Sequence, residues 1–348
     1  WAFSSYFFIL IPAGHIWKFV TLAYIPPTIA GIVLAYRRKY LLGGIITALF
    51  IALQIRSNHI QMSYYFMFVI LFIIGAYFEE AYKKKELTHF FKASAILALA
   101  AMVGVCINLS NLYHTYEYSK ETMRGKSELK QEGNAANQTS SGLDRDYITN
   151  WSYGIGETLT LLVPNVKGGA SSDNLSQSEA AMEKANPMYS SIYSQFPQYF
   201  GDQPWTAGPV YVGAFVMFLF VLGCFIVKGP LKWALLGATI FSVLLSWGKN
   251  FMGLTDFFID YVPMYNKFRA VSSILVIAEF TIPLLAIFAL KEILGRPEIL
   301  KLKENRTGVI VSLVLTAGVS LVLAVAPSVF FSSFVTAQEM AALQQGLP

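Results

Sequence analysis

Long apolar runs separated by short polar segments dominate the chain, and most of them have the length of a helix that crosses a lipid bilayer. Such a helix needs about 20 predominantly apolar residues, because the hydrocarbon core of a bilayer is about 30 Å thick. The pattern predicts spans at 16–36, 40–56, 61–79, 91–112, 209–227, 231–247, 271–291 and 307–331, after a shorter apolar run at 1–11. The runs lack the alternation of β-barrel strands, so we expect helices.

The composition agrees with a membrane location for these helices. Of the 348 residues, 55% are hydrophobic and 14% are charged, whereas soluble domains carry about 25% charged residues. The mean hydropathy of +0.50 is that of a membrane protein. The sequence therefore predicts an all-α polytopic membrane protein.

The basic residues predict how the spans are oriented. Cytoplasmic loops of membrane proteins carry an excess of Lys and Arg. When successive spans alternate in direction, 14 basic residues fall on one side, and 5 lie in the short segments of the other side. The side with 14 is therefore predicted to be cytoplasmic, with the long segment 113–208 outside. This distribution accounts for the net charge of +5, so we expect no nucleic-acid partner.

The chain divides into three parts by composition. Transmembrane helices occupy 1–112, where the first helix is partial, and again 209–348, and a polar extracytoplasmic loop region at 113–208 separates them. Within the last part, residues 248–270 alternate apolar and polar positions around one short predicted helix. We expect this loop to lie in the membrane interface or to re-enter the membrane rather than to span it.

Polar and basic side chains cluster at the predicted outer ends of the spans. The stretch RSNHIQMSYY at 56–65 joins two spans, although a plain turn needs only Gly, Asn or Ser. Arg and His at membrane depth are costly and mark functional sites. The candidates to bind a lipid-linked phosphate are His15, Lys18, Arg56, His59, Lys267 and Arg269, and those to orient a sugar or the neighbouring side chains are Asn58, Gln61 and Trp151. The alternative interpretation is that each cation contacts solvent or a lipid headgroup within an ordinary turn.

Carboxylates are fewer at these outer ends. Glu157 follows WSYGIG and Asp202 lies within YFGDQPW, and both are reserve candidates for a catalytic base. The alternative is that each accepts hydrogen bonds from turn backbone. Glu279 lies in the middle of an apolar span, so it needs a partner or a polar cavity. The two cysteines lie in apolar runs without metal-ligand spacing, and we expect neither a metal nor a cofactor.

Five segments resemble the YfhO-type bacterial membrane proteins in the form found in Bacteroidota, and the resemblance extends over nearly the whole chain. They are AGHIWKFVTLAYIPPTIAGI, SNHIQMSYYF, NWSYGIGETLTLLVPN, YFGDQPWTAGPVYVGA and DYVPMYNKFRAVSSILVIAEF. The resemblance implies a GT-C-like helix bundle and a glycosyltransferase that uses a polyprenyl-phosphate-linked sugar on the extracytoplasmic face. It also implies a catalytic carboxylate in a first outer loop. That loop would precede Trp1, so we expect this chain to be an internal piece that lacks its catalytic base.

Three functions stay open at this point. The first is a glycosyltransferase of the bacterial inner membrane that transfers sugar from a lipid carrier to a cell-envelope glycan or lipid. Its partners would be membrane lipids, the lipid-linked donor and the acceptor. The second is a transporter or flippase of lipid-linked sugars, which predicts an internal repeat and broken helices near the membrane midplane. The third is a non-catalytic membrane assembly subunit.

Overall fold

The computed structural model describes residues 1, 3–125, 137, 139, 142–189, 193–331 and 333. These residues form helices and turns and contain no β-strand. The α-helices in chain order are α1 Ser5–Leu10, α2 Ile16–Ala23, α3 Ile25–Tyr36, α4 Tyr40–Arg56, α5 Ile60–Lys83, α6 Leu87–Cys106, α7 Leu109–Lys120, α8 Arg145–Thr149, α9 Glu179–Lys184, α10 Ala214–Ile226, α11 Pro230–Ser246, α12 Met252–Tyr261, α13 Val276–Gly295, α14 Lys303–Leu313 and α15 Val319–Val325.

The described part of the chain has five helical segments long and apolar enough to cross a membrane, or six if one bent pair is a single span. The five are Ile16–Tyr36, Ile60–Lys83, Leu87–Cys106, Val271–Gly295 and Lys303–Val325. Helices α4 and α10 are apolar but shorter. An all-helical chain with several membrane-spanning candidates is therefore confirmed, with fewer full-length spans than the eight predicted.

The predicted span at 91–112 is divided in two. Helix α6 ends at Cys106 and α7 begins at Leu109. Between them, the side-chain amide of Asn108 donates hydrogen bonds to the carbonyl oxygens of Ala52, at 2.9 Å, and Gly104, at 3.3 Å. A polar side chain that bonds backbone carbonyls in this way competes with a continuous helix.

The Pro26–Pro27 pair lies just after a break within the membrane-spanning candidate Ile16–Tyr36. Helix α2 ends at Ala23, and the two prolines occupy the first turn of α3. The N–H groups of a first turn have no intrahelical partner, so proline is well tolerated there.

Glycines allow α3, α4 and α6 to pack closely. A Cβ atom on Gly43 would lie 2.6 Å from both the backbone nitrogen of Ala35 and the carbonyl oxygen of Gly31. On Gly104 it would lie 2.8 Å from the Ile51 side chain. Small residues at such positions let helix backbones approach one another, which is the usual packing device in membranes.

The buried Glu279 on α13 has the partners that its position requires. Its carboxylate accepts hydrogen bonds from the hydroxyls of Ser4 and Ser5 at the start of α1. The same helix α13 is joined to α11 by a 2.7 Å hydrogen bond between the hydroxyls of Thr239 and Thr281. These polar contacts fix α1 and α11 against α13 in an otherwise apolar core.

A layer of short helices covers one end of the bundle. The short helix predicted within 248–270 is α12, and its segment is bent by 107° from α11. Arg145 on α8 holds α12 through Asp260, whose two carboxylate oxygens lie 2.7 and 2.8 Å from Nη2, and through Asp256 at 3.1 Å from Nε. Hydrogen bonds between charged groups are stronger than those between neutral ones, so Arg145 fixes α12 firmly against α8.

Candidate phosphate-binding site

A cavity of about 380 Å³ lies where several helices begin. Its walls come from the end of α1, the starts of α2 and α5, the residues 269–273, and two segments at 151–153 and 203–210. His15 and His59 are the residues just before α2 and α5, so the helix starts bring them to the cavity. We call it the basic cavity, and the lining residues that matter for charge and hydrogen bonding include His15, Lys18, His59, Gln61, Arg124 and Arg269.

The basic cavity gathers four of the six predicted cations: His15, Lys18, His59 and Arg269. No Asp or Glu is present in the described part of its lining. The pKa of His15 is lowered, first by burial and then by the charges of Lys18 and Arg269. These cations therefore act on one another across the cavity. A concave site lined by charge of one sign concentrates counter-ions, so this cavity favours an anion.

His59 has a buried ring nitrogen, Nδ1, that makes no hydrogen bond within the described residues. Burial, and after it the charge of Lys18, lowers the pKa of His59 to about 4. The ring is therefore neutral at pH 7. A buried polar atom without a partner costs about 1–3 kcal/mol, and a ligand atom that pairs with it would recover that free energy.

Gln61 connects two walls of the cavity. Its side-chain nitrogen donates hydrogen bonds to the hydroxyl of Tyr65, at 2.9 Å, and to the backbone carbonyl oxygen of Arg269, at 2.7 Å. Tyr65 is fully buried, which gives the amide a rigid anchor. Gln61 therefore holds the backbone of Arg269 against the start of α5.

Aromatic rings surround the Arg269 side chain. Nη1 donates a 2.8 Å hydrogen bond to the hydroxyl of Tyr147. The guanidinium carbon lies 5.4 Å from the ring centroid of Tyr147 and 5.8 Å from that of Trp151. The indole of Trp151 is itself fixed by a 3.1 Å hydrogen bond to the carbonyl of Trp205. Cation–π contacts of this kind hold a guanidinium in place while its other N–H groups stay available to a ligand.

Three predicted residues lie away from the basic cavity. Arg56 is exposed at the end of α4. Asn58 has a φ of +56° in the turn before α5, a conformation that Asn tolerates better than most residues. Lys267 donates through Nζ to the carbonyl of Arg124 at 2.7 Å, and Arg124 donates through Nε to the carbonyl of Lys267 at 3.0 Å. Asn in a turn and Lys or Arg in a backbone contact are the same residue types that a phosphate site uses. The sequence alone therefore did not distinguish these structural residues from residues of the cavity.

Glu157 lies behind the cavity wall and not in it. The buried carboxylate accepts hydrogen bonds from the backbone nitrogens of Gly154, at 2.8 Å, and Asp202, at 3.2 Å, and from the Tyr199 hydroxyl at 2.5 Å. Burial raises its pKa. This geometry matches the alternative interpretation, in which the carboxylate organises turn backbone.

Asp202 is held in a similar way. Its Oδ2 accepts a 2.8 Å hydrogen bond from the Asn250 side chain, and its carbonyl accepts a 3.0 Å bond from Lys249. The next residue, Gln203, lines the basic cavity and reaches Glu157 at 3.4 Å. Both reserve bases thus stand one residue layer behind the cavity.

Sequence reasoning missed Arg124, which adds a fifth basic side chain to the lining. It lies in the segment 113–208, whose basic residues the orientation argument did not count. No local pattern marks Arg124, because it reaches the cavity through its bond to Lys267, 143 residues away. Gln203 was missed as well, although it follows a reserve base directly.

No protein-family model matches this chain, and no curated protein or solved structure matches it.

Proposed function

We propose that this protein is an integral-membrane glycosyltransferase of the bacterial inner membrane that takes its sugar from a polyprenyl-phosphate-linked donor on the extracytoplasmic face. The acceptor class is a cell-envelope glycan or lipid. The observation that carries the proposal is the basic cavity, where His15, Lys18, His59 and Arg269 meet without an Asp or Glu in the described lining.

A lipid-linked phosphate fits the position and charge of this cavity. It opens where α2 and α5 begin, at the ends of two membrane-spanning candidates, and in a bilayer the ends of such spans lie near the lipid phosphates. Arg binds phosphate oxygens through several N–H groups at once, and Lys contributes a compact charge. Each charge-assisted contact is worth about 1.5–3 kcal/mol.

In the proposed reaction the same cations stabilise the leaving group. An acceptor hydroxyl attacks the anomeric carbon of the donor sugar and loses its proton to a base. The bond between that carbon and the phosphate oxygen breaks, and its electron pair stays on the lipid phosphate. Preorganised cations near that oxygen lower the barrier, because they stabilise charge where it develops. Trp151 offers a flat apolar face for the sugar at the cavity wall.

Transfer is favoured over transport by where the cavity lies. Many secondary transporters bind their substrates near the bilayer midplane, between broken helices of an internal repeat. Three cations of the basic cavity, His15, Lys18 and His59, instead precede or occupy the first turns of α2 and α5. Assembly without catalysis requires no such convergence of basic groups on one cavity.

The proposal is tested by sugar release from a radiolabelled polyprenyl-phosphate sugar by the purified full-length protein, with and without envelope glycan. We expect acceptor-dependent release that Lys18→Gln and Arg269→Gln each reduce by about 10- to 150-fold, the equivalent of one charge-assisted contact. Lys301→Gln, at an exposed lysine outside the cavity, is the matched control. Binding of the donor without release, or movement of the donor across vesicle membranes, would count against transfer.

A further inference from the structure

A second cavity lies at the other end of the spans. It has a volume of about 410 Å³ and is lined by the ends of α3, α5 and α13, by Glu86 and the start of α6, and by residues 227–231, which include the start of α11. Helix α5 has Gln61 at the basic cavity near its start and Lys84 at the second cavity just after its end. Because α5 has 24 residues, it is about 36 Å long. The two cavities are therefore separate sites at opposite ends of the same helices.

The floor of the second cavity is apolar and rigid. Tyr36, Tyr77 and Phe90 line it and are buried. The Tyr36 ring stacks on Tyr77, with centroids 4.7 Å apart, and on Phe90, with centroids 5.4 Å apart. Val227 adds an aliphatic side chain to the same buried surface. Such a floor suits the apolar part of an amphiphile.

The carboxylates at this cavity are already neutralised. Each of the three has a basic partner: Glu86 with Arg38 at 2.8 Å, Glu80 with Lys84 at 2.7 Å, and Glu292 with Arg296 at 3.0 Å. His89 is also occupied, since its Nδ1 lies 2.6 Å from the Tyr40 hydroxyl and its Nε2 lies 2.9 Å from the Tyr36 carbonyl. No carboxylate in the described lining of this cavity is therefore left to pair with its other basic residues.

Those remaining cations are Arg37, Lys228 and Lys291, which line the cavity and form no ion pair within the described part of the chain. The Arg37 side chain lies beside the Tyr77 hydroxyl. All three are exposed at the rim. The first turn of α11 faces the same cavity through Pro230 and Leu231, and the start of a helix adds a partial positive charge.

We propose that the second cavity binds a phosphodiester anion of the kind carried by anionic phospholipid headgroups. The three rim cations would hold the phosphate, and the glycerol and first methylenes would lie on the apolar floor. Basic pockets between membrane helices bind anionic headgroups in this manner. This site is independent of the proposed transfer reaction and lies at the end of the spans predicted to face the cytoplasm. A free phosphate has the same charged chemistry without the apolar part.

Binding of short-chain phosphatidylglycerol to the purified protein, counted by native mass spectrometry, tests the proposal, with phosphatidylcholine and inorganic phosphate as the comparison probes. We expect phosphatidylglycerol to bind at least tenfold more tightly than phosphatidylcholine. Lys228→Gln and Lys291→Gln should each weaken that binding by about fivefold, and together by about 25-fold, since a basic residue near anionic lipid is worth about 1 kcal/mol. Lys301→Gln, an exposed lysine that does not line the cavity, should leave it unchanged.

Each other outcome is decisive. Displacement of phosphatidylglycerol by millimolar phosphate would support the anion site with free phosphate as its ligand. Equal affinity in wild type and the double variant, or equal loss in Lys301→Gln, would overturn the site. If the double variant fails to fold, photoactivatable phosphatidylglycerol is crosslinked to the wild-type protein instead. Crosslinks should then fall within 227–231 or 288–292, and crosslinks confined to other segments would refute the proposal.

Discussion

The side-chain nitrogen of Gln61 lies 2.7 Å from the backbone carbonyl oxygen of Arg269 and donates a hydrogen bond to it across 208 positions of sequence. The same nitrogen donates to the buried Tyr65 at 2.9 Å. The start of α5 thus determines where the backbone of Arg269 enters the basic cavity. Gln61, one of the residues predicted to have an orienting role, thus positions the backbone of Arg269 at the wall of the basic cavity.

Replacing Gln61 by Leu should weaken binding of polyprenyl phosphate by roughly 5- to 10-fold, because a hydrogen bond of this type is worth about 1 kcal/mol. Isothermal titration with a short-chain prenyl phosphate measures the change. Gln177→Leu, at an exposed glutamine outside the cavity, controls for the loss of an amide. A Gln61→Leu protein that binds the ligand as tightly as wild type would show that Arg269 needs no such support.

Hydrophobic run length predicted the helices well, because bilayer thickness fixes how many apolar residues a span needs. Charge at the span ends identified His15, Lys18, His59 and Arg269, since helix starts bring such residues to one end of the bundle. From the sequence, the structural role of Glu157 was only one of two interpretations and its partners were not identified, because one of its donors, the backbone of Asp202, is 45 residues away. Partners of that kind are set by tertiary contacts, which leave no local pattern.

Binding of a phosphodiester should strengthen as the pH falls from 7 to 5. The pKa of His59 is about 4 in the free cavity, and a bound anion raises it because it favours the protonated ring. Binding therefore takes up a proton, and the affinity rises by up to about tenfold per pH unit between the two pKa values. The phosphodiester itself does not titrate in this range.

His59→Gln should flatten that pH dependence while retaining much of the affinity at pH 7, where the wild-type ring is neutral. His114→Gln, at an exposed histidine outside the cavity, should keep the wild-type slope. Titrations at pH 5, 6 and 7 make the comparison. A slope that survives in His59→Gln would assign the proton uptake to another group, with His15 as the first candidate.

The buried Glu157 should make the protein less stable as the pH rises. Its folded pKa lies above the ordinary value of 4.5, so its contribution is fully present below that value and is lost as the pH rises through the folded pKa. Glu157→Gln removes the titrating group. The free energy of unfolding of the wild type minus that of Glu157→Gln should therefore decrease between pH 4 and pH 7. Thermal unfolding of both proteins at each pH measures this difference.

Glu157→Ala should cost about 1–3 kcal/mol, because it leaves buried donors unpaired. The donors concerned include the backbone nitrogens of Gly154 and Asp202. Glu157→Gln keeps an acceptor near both and should cost less. Equal stability of the Ala and Gln variants would mean that solvent satisfies these donors, and the structural role assigned to Glu157 would be wrong.

Gly43→Ala should destabilise the bundle, whereas Gly75→Ala should not. A Cβ on Gly43 meets backbone atoms of Gly31 and Ala35 at 2.6 Å, so α3 and α4 would have to separate. Overpacking of this kind costs about 1–3 kcal/mol. A Cβ on Gly75 meets no atom within 4 Å, and alanine favours a helix more than glycine does by about 1 kcal/mol. Thermal unfolding midpoints of the two variants and the wild type, measured in one detergent, test this prediction. Equal shifts in both variants would contradict the packing argument.

Labelling of single cysteines should place residue 177 outside the cytoplasm and residue 301 inside it. The basis is the distribution of 14 basic residues on one side and 5 in the short segments of the other. Gln177→Cys and Lys301→Cys are made in a background where both native cysteines, Cys106 and Cys224, are replaced by alanine.

An impermeant maleimide should label position 177 in intact spheroplasts and position 301 only after permeabilisation. Both positions are exposed, so labelling of both in permeabilised cells controls for reactivity. The reverse pattern would put the basic cavity on the cytoplasmic side, where a donor on the extracytoplasmic face does not reach it.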